Sequence, residues 1–422
     1  MPTGRSIDAK RHPVSDDLRA ALDAIASARG WPTAAEPARL GALVARLSSA
    51  YNEAGSHKAA AEPRELLPAR LGFSFPRDVP KAAGAVRELV AAGLLAMPEG
   101  RPLRVLDLGA GMGATTFGVA HALAAAGQRG VLSATWKDED EAALAIGAEI
   151  ARRAPPGPIA LDVHTSVADA HRSQPLEHDL VLLGQVLSEL DPELPEDERV
   201  ATHADLVAGL LARSVAPDGS LVIVEPALRS RSRHLHAVRD ILATRGHAPF
   251  APCLHAGPCP ALAGETDWCH EDRPIDLPEW LAPVARAAGL RWQRLTFAYL
   301  VLRKDGATLA RALPPRPLRL RLVSERMATK GKEEALVCGE AGGAPRAERL
   351  RVLDRDRERG APGLAAWGEL ARGDVVAIDP PPEGTSFADG ARLRAEHTVE
   401  RLTLEEADPG PRAAAGDPKP GI

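Results

Sequence analysis

The chain has 422 residues, a formal net charge of −5, only 3% aromatic residues and four cysteines. That length predicts two or three compact units, the acidic balance excludes a protein coated in positive charge, and the scarcity of aromatics argues against a base-stacking platform for single strands. The start, MPTGRSIDAKRHPVSDD, has no secretory apolar run and no later stretch has about 18 apolar residues, so a cytoplasmic protein that does not enter a membrane is expected, with cysteines available for metal ligation or burial rather than disulfides.

Residues 1–100 read as a helical region. DDLRAALDAIASARG, PARLGALVARLSSAYNEAG and PKAAGAVRELVAAGLLAM place apolar residues at helical spacing. From Arg104 the pattern changes to short apolar runs between helical stretches: RVLDLG, GVLSATW, HDLVLLGQ and GSLVIVEP. Strands alternating with helices predict a parallel sheet covered on both faces, assigned to residues 101–310 with a cysteine-rich insertion at 251–272. After Pro314, Pro315 and Pro317, the segments RLRLVSER, EEALVCGE, RLRVLDRD and GDVVAID predict a small β-barrel-like domain of the OB type over 311–380. Residues 381–422 are rich in Pro, Gly and Ala and are expected to be partly disordered.

The sharpest chemical signal is VLDLGAGMGATTFGVAHAL, where an apolar strand ends at Asp107 and Gly109, Gly111 and Gly113 follow at alternate positions before a helix. Side chains there would block a ligand that must approach the backbone. The G-x-G-x-G spacing behind an aspartate resembles motif I of class I S-adenosylmethionine (SAM)-dependent methyltransferases. The resemblance implies that Asp107 and the loop backbone hold the methionyl part of SAM, and that an acidic residue ending the second strand takes the ribose hydroxyls. Asp138 is chosen for that role because it stands six residues before Leu144, the first buried position expected on the next helix, whereas Glu139 and Asp140 read as a solvated helix start. Gln185 falls just past the fourth strand, and Glu225 and Pro226 just past the fifth, at the sheet edge where such folds bind ligands. GQVLSEL lacks the Asp/Asn-Pro-Pro-aromatic element of many amine methyltransferases, so the acceptor and the catalytic residues are not readable.

Cys253, Cys259 and Cys269 crowd one Gly/Pro-rich stretch, CLHAGPCPALAGETDWCH, with Cys338 far downstream. Zinc with His255 or His270, an iron–sulfur cluster, a nucleophilic thiolate and buried thiols all remain open from the spacing.

PCLHAGPCP and DWCH, following DLGAGMG, LVLLGQVLSEL and IVEP, resemble the small-ribosomal-subunit methyltransferase-like family over roughly residues 65–380. This family includes the mitochondrial ribosome small-subunit assembly factor and bacterial relatives. VEPA stands where the family more often has VEPG, and the spacing before DWCH is longer. The resemblance implies a 4Fe–4S cluster on Cys253, Cys259, Cys269 and Cys338 and a role on the small ribosomal subunit or its rRNA. A chain that is monomeric when free is expected. The expected fold is α/β: a class I SAM-dependent methyltransferase (Rossmann-like) core with a helical N-terminal region and a small C-terminal β-barrel-like domain. The leading expectation is an rRNA methyltransferase using SAM; a non-catalytic assembly factor and a zinc-containing small-molecule methyltransferase are the alternatives. For RNA contact, the run from Arg311 to Lys332 has seven basic residues against one acidic, from which Arg319, Arg321, Lys330 and Lys332 are chosen. Arg229, Arg231, Arg233 and Arg239 form a second basic cluster beside the expected cofactor mouth.

Overall fold

A computed structural model describes residues 14–53, 64–154, 157–171, 176–274, 278–290, 294–358, 361–384 and 390–404. The chain opens with α1 (Asp16–Ala28), α2 (Pro37–Glu53), the short α3 (Leu67–Ala69) and α4 (Phe75–Ala91). Ser15 caps α1 by accepting the Leu18 amide, and Asp16 and Asp17 complement the helix dipole.

The first sheet is built from β1 (Leu103–Leu108), β2 (Gly130–Asp138), β3 (Ile159–Val167), β4 (His178–Gly184), β5 (Val215–Glu225), β6 (Pro249–Ala251), β7 (Glu271–Arg273) and β8 (Leu295–Arg303). Its order is β3-β2-β1-β4-β5-β8-β6, with β7 paired to β8. The pairs from β3 through β5 are parallel, while β8 lies antiparallel between β5 and β6. Successive residues on β1 face opposite layers: Val105 joins α4 and α5 (Ala114–Ala125) on one side, and Leu106 joins α7 (Glu196–Arg213) and α8 (Arg229–Thr244) on the other. Both faces are therefore dry, and ligands are left the strand ends. The helix α6 (Glu141–Arg153) adds Leu144 and Ile150 to the first layer, and α9 (Leu281–Ala287) packs against α2. The first buried position on α6 is Ala143, one residue before Leu144.

After α10 (Leu309–Ala312) the chain forms a second, curled sheet from β9 (Leu318–Leu322), β10 (Met327–Thr329), β11 (Lys332–Ala341), β12 (Ala344–Leu353), β13 (Val375–Asp379), β14 (Ala391–Leu393) and β15 (Thr398–Leu402), with α11 (Asp354–Glu358) after β12. Its order is β14-β12-β11-β9-β13-β15, with β10 on β11. Gly342 and Gly343, both at positive φ, form the two-residue loop of the β11–β12 hairpin, where the strand twist demands left-handed backbone. Trp367 fills the core with Leu320, Val337 and Leu350.

One boundary differs from the sequence reading. Strands β14 and β15 belong to this sheet although they lie beyond residue 380, because Ala391, Leu393 and Val399 supply buried apolar side chains to its core. Residues 405–422, also read as tail, lie outside the described residues. Among the described residues no helix is long and apolar enough to cross a membrane.

The two sheets meet across buried ion pairs. Arg321 of β9 pairs with Glu88 of α4 at 2.7 Å, Tyr299 of β8 donates to Glu88 at 3.1 Å, and Arg87 pairs with Glu271 of β7 at 2.9 Å. Burial alone would push Glu88 up, but Arg321 and Arg87 hold its carboxyl below the usual range.

Candidate functional site

A cavity of about 1090 Å³ opens at the C-terminal ends of β1, β2 and β4, lined among others by Gly109, Gly111, Asp138, Gln185 and Pro226. The three glycines of the β1–α5 turn all have positive φ, yet they do different work. A Cβ on Gly109 would lie 2.2 Å from Val186, and one on Gly113 2.2 Å from the Trp136 ring, so these two permit close packing behind the loop. At Gly111 the nearest atom would be the movable Arg70 guanidinium at 3.0 Å, and this residue presents backbone to the cavity.

Asp138 holds that loop in place. Its carboxylate accepts from the Gly111 amide at 2.7 Å and the Asp140 amide at 2.8 Å. A carboxylate has about four lone-pair sites, so two remain for ribose hydroxyls. Asp140 is no solvated bystander: it caps α6 through the Ala143 amide at 3.0 Å and pairs with Arg70 at 2.7 Å.

Asp107 sits beneath the loop and is fully buried. Its Oδ2 accepts from Thr116 Oγ1 at 2.7 Å, Trp136 Nε1 in turn donates to Thr116 at 2.9 Å, and Oδ1 has no partner among the described residues. Burial pushes the Asp107 carboxyl up to about 7. The open Gly111 backbone fits the carboxylate of an amino-acid-like ligand and Asp138 fits its ribose, while Asp107 is buried beneath the loop rather than lining the cavity.

Gln185 follows β4 directly in left-handed backbone at φ 62°, with its amide bonded to Val224 O at 2.6 Å. A non-glycine residue held there is sterically costly and calls for a local reason. The reason faces it: Lys81 Nζ stands 3.5 Å from Gln185 Oε1 and 2.9 Å from Asp78 Oδ1. Arg70, Arg77, Asp78 and Lys81 all line the cavity, and none was singled out from the sequence. The available signal was FPRDVPK, a knot of charges on a helix whose other face is apolar. Glu189 also lines the cavity.

The cysteines lie on the other side of β8. Cys259 is buried with its amide bonded to Asp240 at 2.9 Å, the Cys269 carbonyl meets His236 Nε2 at 2.9 Å, and Cys338 on β11 has its sulfur 3.5 Å from His255 Nε2. A Cβ on Gly257 would lie 2.1 Å from Pro345 of β12, so the loop presses directly on the second sheet. The four thiols are near enough to act on one another: burial pushes Cys259 up to about 12 and Cys269 up to about 11, with Cys253 adding to each, and Cys338 is raised by burial and by the other three. Among the described residues, no three His, Cys, Asp or Glu side chains form a group that could hold a metal ion.

The basic clusters are corrected. Arg321 is buried against Glu88, and Arg319 is spent on Glu340 and the Ala310 carbonyl, so neither is a phosphate contact. Lys332 pairs with Glu334 at 3.0 Å, while Lys330 is exposed at the β10–β11 turn. In the second cluster, Arg239 is 2% exposed and donates to the Gly257 and His255 carbonyls, and Arg233 donates to the carbonyls of Ala261, Gly264 and Asp267. These arginines build the cysteine loop; Arg231 lines the cavity.

A parallel sheet ordered 3-2-1-4-5, closed by an antiparallel strand inserted next to the edge, with a glycine loop after its first strand, is the class I methyltransferase fold. Within it, the chain belongs to the mitochondrial small ribosomal subunit Rsm22 family, whose model matches residues 78–352. No curated protein matches the chain. Similar solved structures include the plantazolicin methyltransferase BpumL in complex with SAH, 10% identical, covering 63% of this chain and 96% of that one at a TM-score of 0.33. Another is magnesium protoporphyrin IX methyltransferase (ChlM) from Synechocystis PCC 6803 with bound SAM, 15% identical, covering 62% of this chain and 96% of that one at a TM-score of 0.30.

Proposed function

We propose that this chain is a SAM-dependent methyltransferase that acts on the small ribosomal subunit, with its RNA as the acceptor. One observation carries the reading: the cavity at the strand ends brings the Gly111 backbone and the Asp138 carboxylate together. Bound there, SAM supplies an activated methyl group; the chain's own residues bind and orient it. Family membership favours the small subunit as the place of action. Calorimetry with SAM on anaerobically purified protein is the first test, with Gly111→Val as control, since a branched side chain there fills the approach to the backbone. Absence of binding by the unaltered chain refutes the enzyme reading, and binding by Gly111→Val at full strength refutes the loop assignment.

The same reading assigns Cys253, Cys259, Cys269 and Cys338 to a 4Fe–4S cluster. Its support is the mutual proximity of four thiols drawn from the loop after β6 and from β11, an all-sulfur donor set that suits such clusters. Zinc requires four ligands converging at about 2.3 Å on one point, a tighter arrangement than a cubane with a thiolate at each corner. The cluster would contribute folding free energy by joining the loop after β6 to β11. Anaerobic protein should be brown with about four irons and four sulfides per chain. Stoichiometric zinc without iron would refute this assignment. Cys338→Ser should lower iron content and speed proteolysis at Pro314–Pro317. RNA contact by the second sheet is proposed for Lys330 and Lys332 at the β10–β11 turn, and unchanged salt dependence of RNA binding in Lys330→Glu/Lys332→Glu would remove them.

A further inference from the structure

We propose that Lys81 faces the methyl acceptor and that it suits a hydroxyl oxygen, a ribose 2′-hydroxyl of RNA, rather than a base amine. This rests on the methyltransferase reading and adds the acceptor chemistry to it. The sheet order separates the two halves of the cavity: Asp138 ends β2 on one side of β1, and Gln185 directly follows β4 on the other. Lys81 reaches the β4 side from α4, is 6% exposed and is held by Asp78 at 2.9 Å and Gln185 Oε1 at 3.5 Å. The other charged groups acting on it are Arg77 and, from β5, Glu225.

The donors and acceptors here discriminate between acceptor types. An exocyclic amine must have its N–H groups received by oxygen so that its lone pair is free to meet the methyl carbon. The side-chain carbonyl just past β4, Gln185 Oε1, already receives from Lys81 and keeps one lone pair, too few for both N–H groups of an amine, and an ammonium has donors only. A hydroxyl has the opposite needs. Its oxygen accepts from the ammonium while docking, and its proton must leave during transfer. The step balances when neutral Lys81 is the base: the ribose oxygen bonds to the methyl carbon, the carbon–sulfur bond breaks with its pair left on sulfur, and the hydroxyl proton passes to Nζ.

The electrostatics agree with that role. Burial pulls the Lys81 amine below its ordinary range, enlarging its neutral fraction. Burial also pushes Glu225 up, which weakens a negative charge that would otherwise keep the lysine protonated. Asp78 stays ionised, because Arg77 and Lys81 outweigh the cost of its burial. It holds the amine in position, and its charge favours the ammonium against the pull of burial.

The test uses the full chain, methyl-labelled SAM and purified small-subunit ribosomal RNA. Label on a 2′-oxygen survives alkaline hydrolysis as a dinucleotide, whereas label on a base appears in mononucleotides. Dinucleotide label is expected. Lys81→Gln should slow transfer on the order of 100-fold, the usual contribution of a positioned base, while calorimetric affinity for S-adenosylhomocysteine stays within about twofold. Its rate should also climb with pH where the unaltered chain has reached a plateau. Lys81→Arg should not rescue, since a guanidinium stays charged. Label in mononucleotides, or full-rate transfer by a folded Lys81→Gln, overturns this inference and leaves the methyltransferase reading standing. No transfer by an unaltered chain that binds S-adenosylhomocysteine ends both. Mapping the label needs only the unaltered chain, so a variant that fails to fold does not shield the proposal.

Discussion

The glycine loop after β1 and the cysteine loop after β6 are both irregular segments at functional positions, but they are held in opposite ways. The glycine loop is built mainly by its own backbone: left-handed glycines, one tie to Asp138 and close contacts with Val186 and Trp136. The cysteine loop is held from outside. Arg233, His236, Arg239 and Asp240 on α8 bind its backbone, and Arg372 donates to the His270 carbonyl at 2.6 Å. A loop shaped by glycine conformation is destroyed by adding a Cβ, and a loop shaped by imported donors by removing a side chain far away in sequence.

That contrast sets the order of expected effects. Arg239→Ala should be the most damaging, at about 3–5 kcal/mol, because it strips buried carbonyls of their donor and leaves Asp240 without its 2.6 Å partner. Urea denaturation measures the loss, and one below about 1 kcal/mol would mean that the cysteine loop holds itself. Gly113→Ala should cost about 2–4 kcal/mol, from a Cβ forced onto Trp136 at φ 83°, whereas Gly111→Ala should cost only about 1 kcal/mol, since Arg70 can move. Equal costs at the two glycines would erase the division of labour within the loop. Arg233→Ala, at the more exposed margin of the cysteine loop, should cost about 1–2 kcal/mol and quicken amide exchange around Ala261–Asp267, leaving Gly111 protected.

The smallest effect is a pH dependence. Asp107 has a carboxyl raised in the fold from 3.8 to about 7, so the folded state binds its proton more tightly than the unfolded one. Its contribution to stability is therefore full below about pH 4 and declines as pH rises through 7. Asp107→Asn cannot lose that proton. Its melting temperature should gain on that of the unaltered chain between pH 5 and 8, by the equivalent of about 1 kcal/mol or more. Parallel melting curves across that range would show that the Asp107 environment is more polar than its burial implies.

Much of the first sheet was legible because its signals are local. RVLDLG, HDLVLLGQ and LVIVEP are apolar runs that only a strand buried on both faces accommodates, and Gly109–Gly113 announces a turn that side chains would block. Lys81 was not legible. Its neighbours Gln185 and Glu225 are more than a hundred residues away, and on a helical plot it looks like any lysine after a proline. The arginines misled for the same reason. Composition counts charges, but partners decide whether a charge is available, and Glu88 and Glu340 neutralise Arg321 and Arg319 from other elements.

By itself, then, the sequence determined the alternation of strands and helices, the glycine turn, the four-cysteine inventory and the kinship those motifs carry, because backbone propensity and hydrophobic period act over a few residues. The tertiary structure alone decided which charges face solvent and which are buried. It decided that β14 and β15 complete the second sheet, that Cys338 meets the loop carrying the other three cysteines, and that Lys81 stands at the cavity. Each of these depends on groups brought together across the chain, where burial strengthens a pairing or a desolvation cost that no local window of sequence contains.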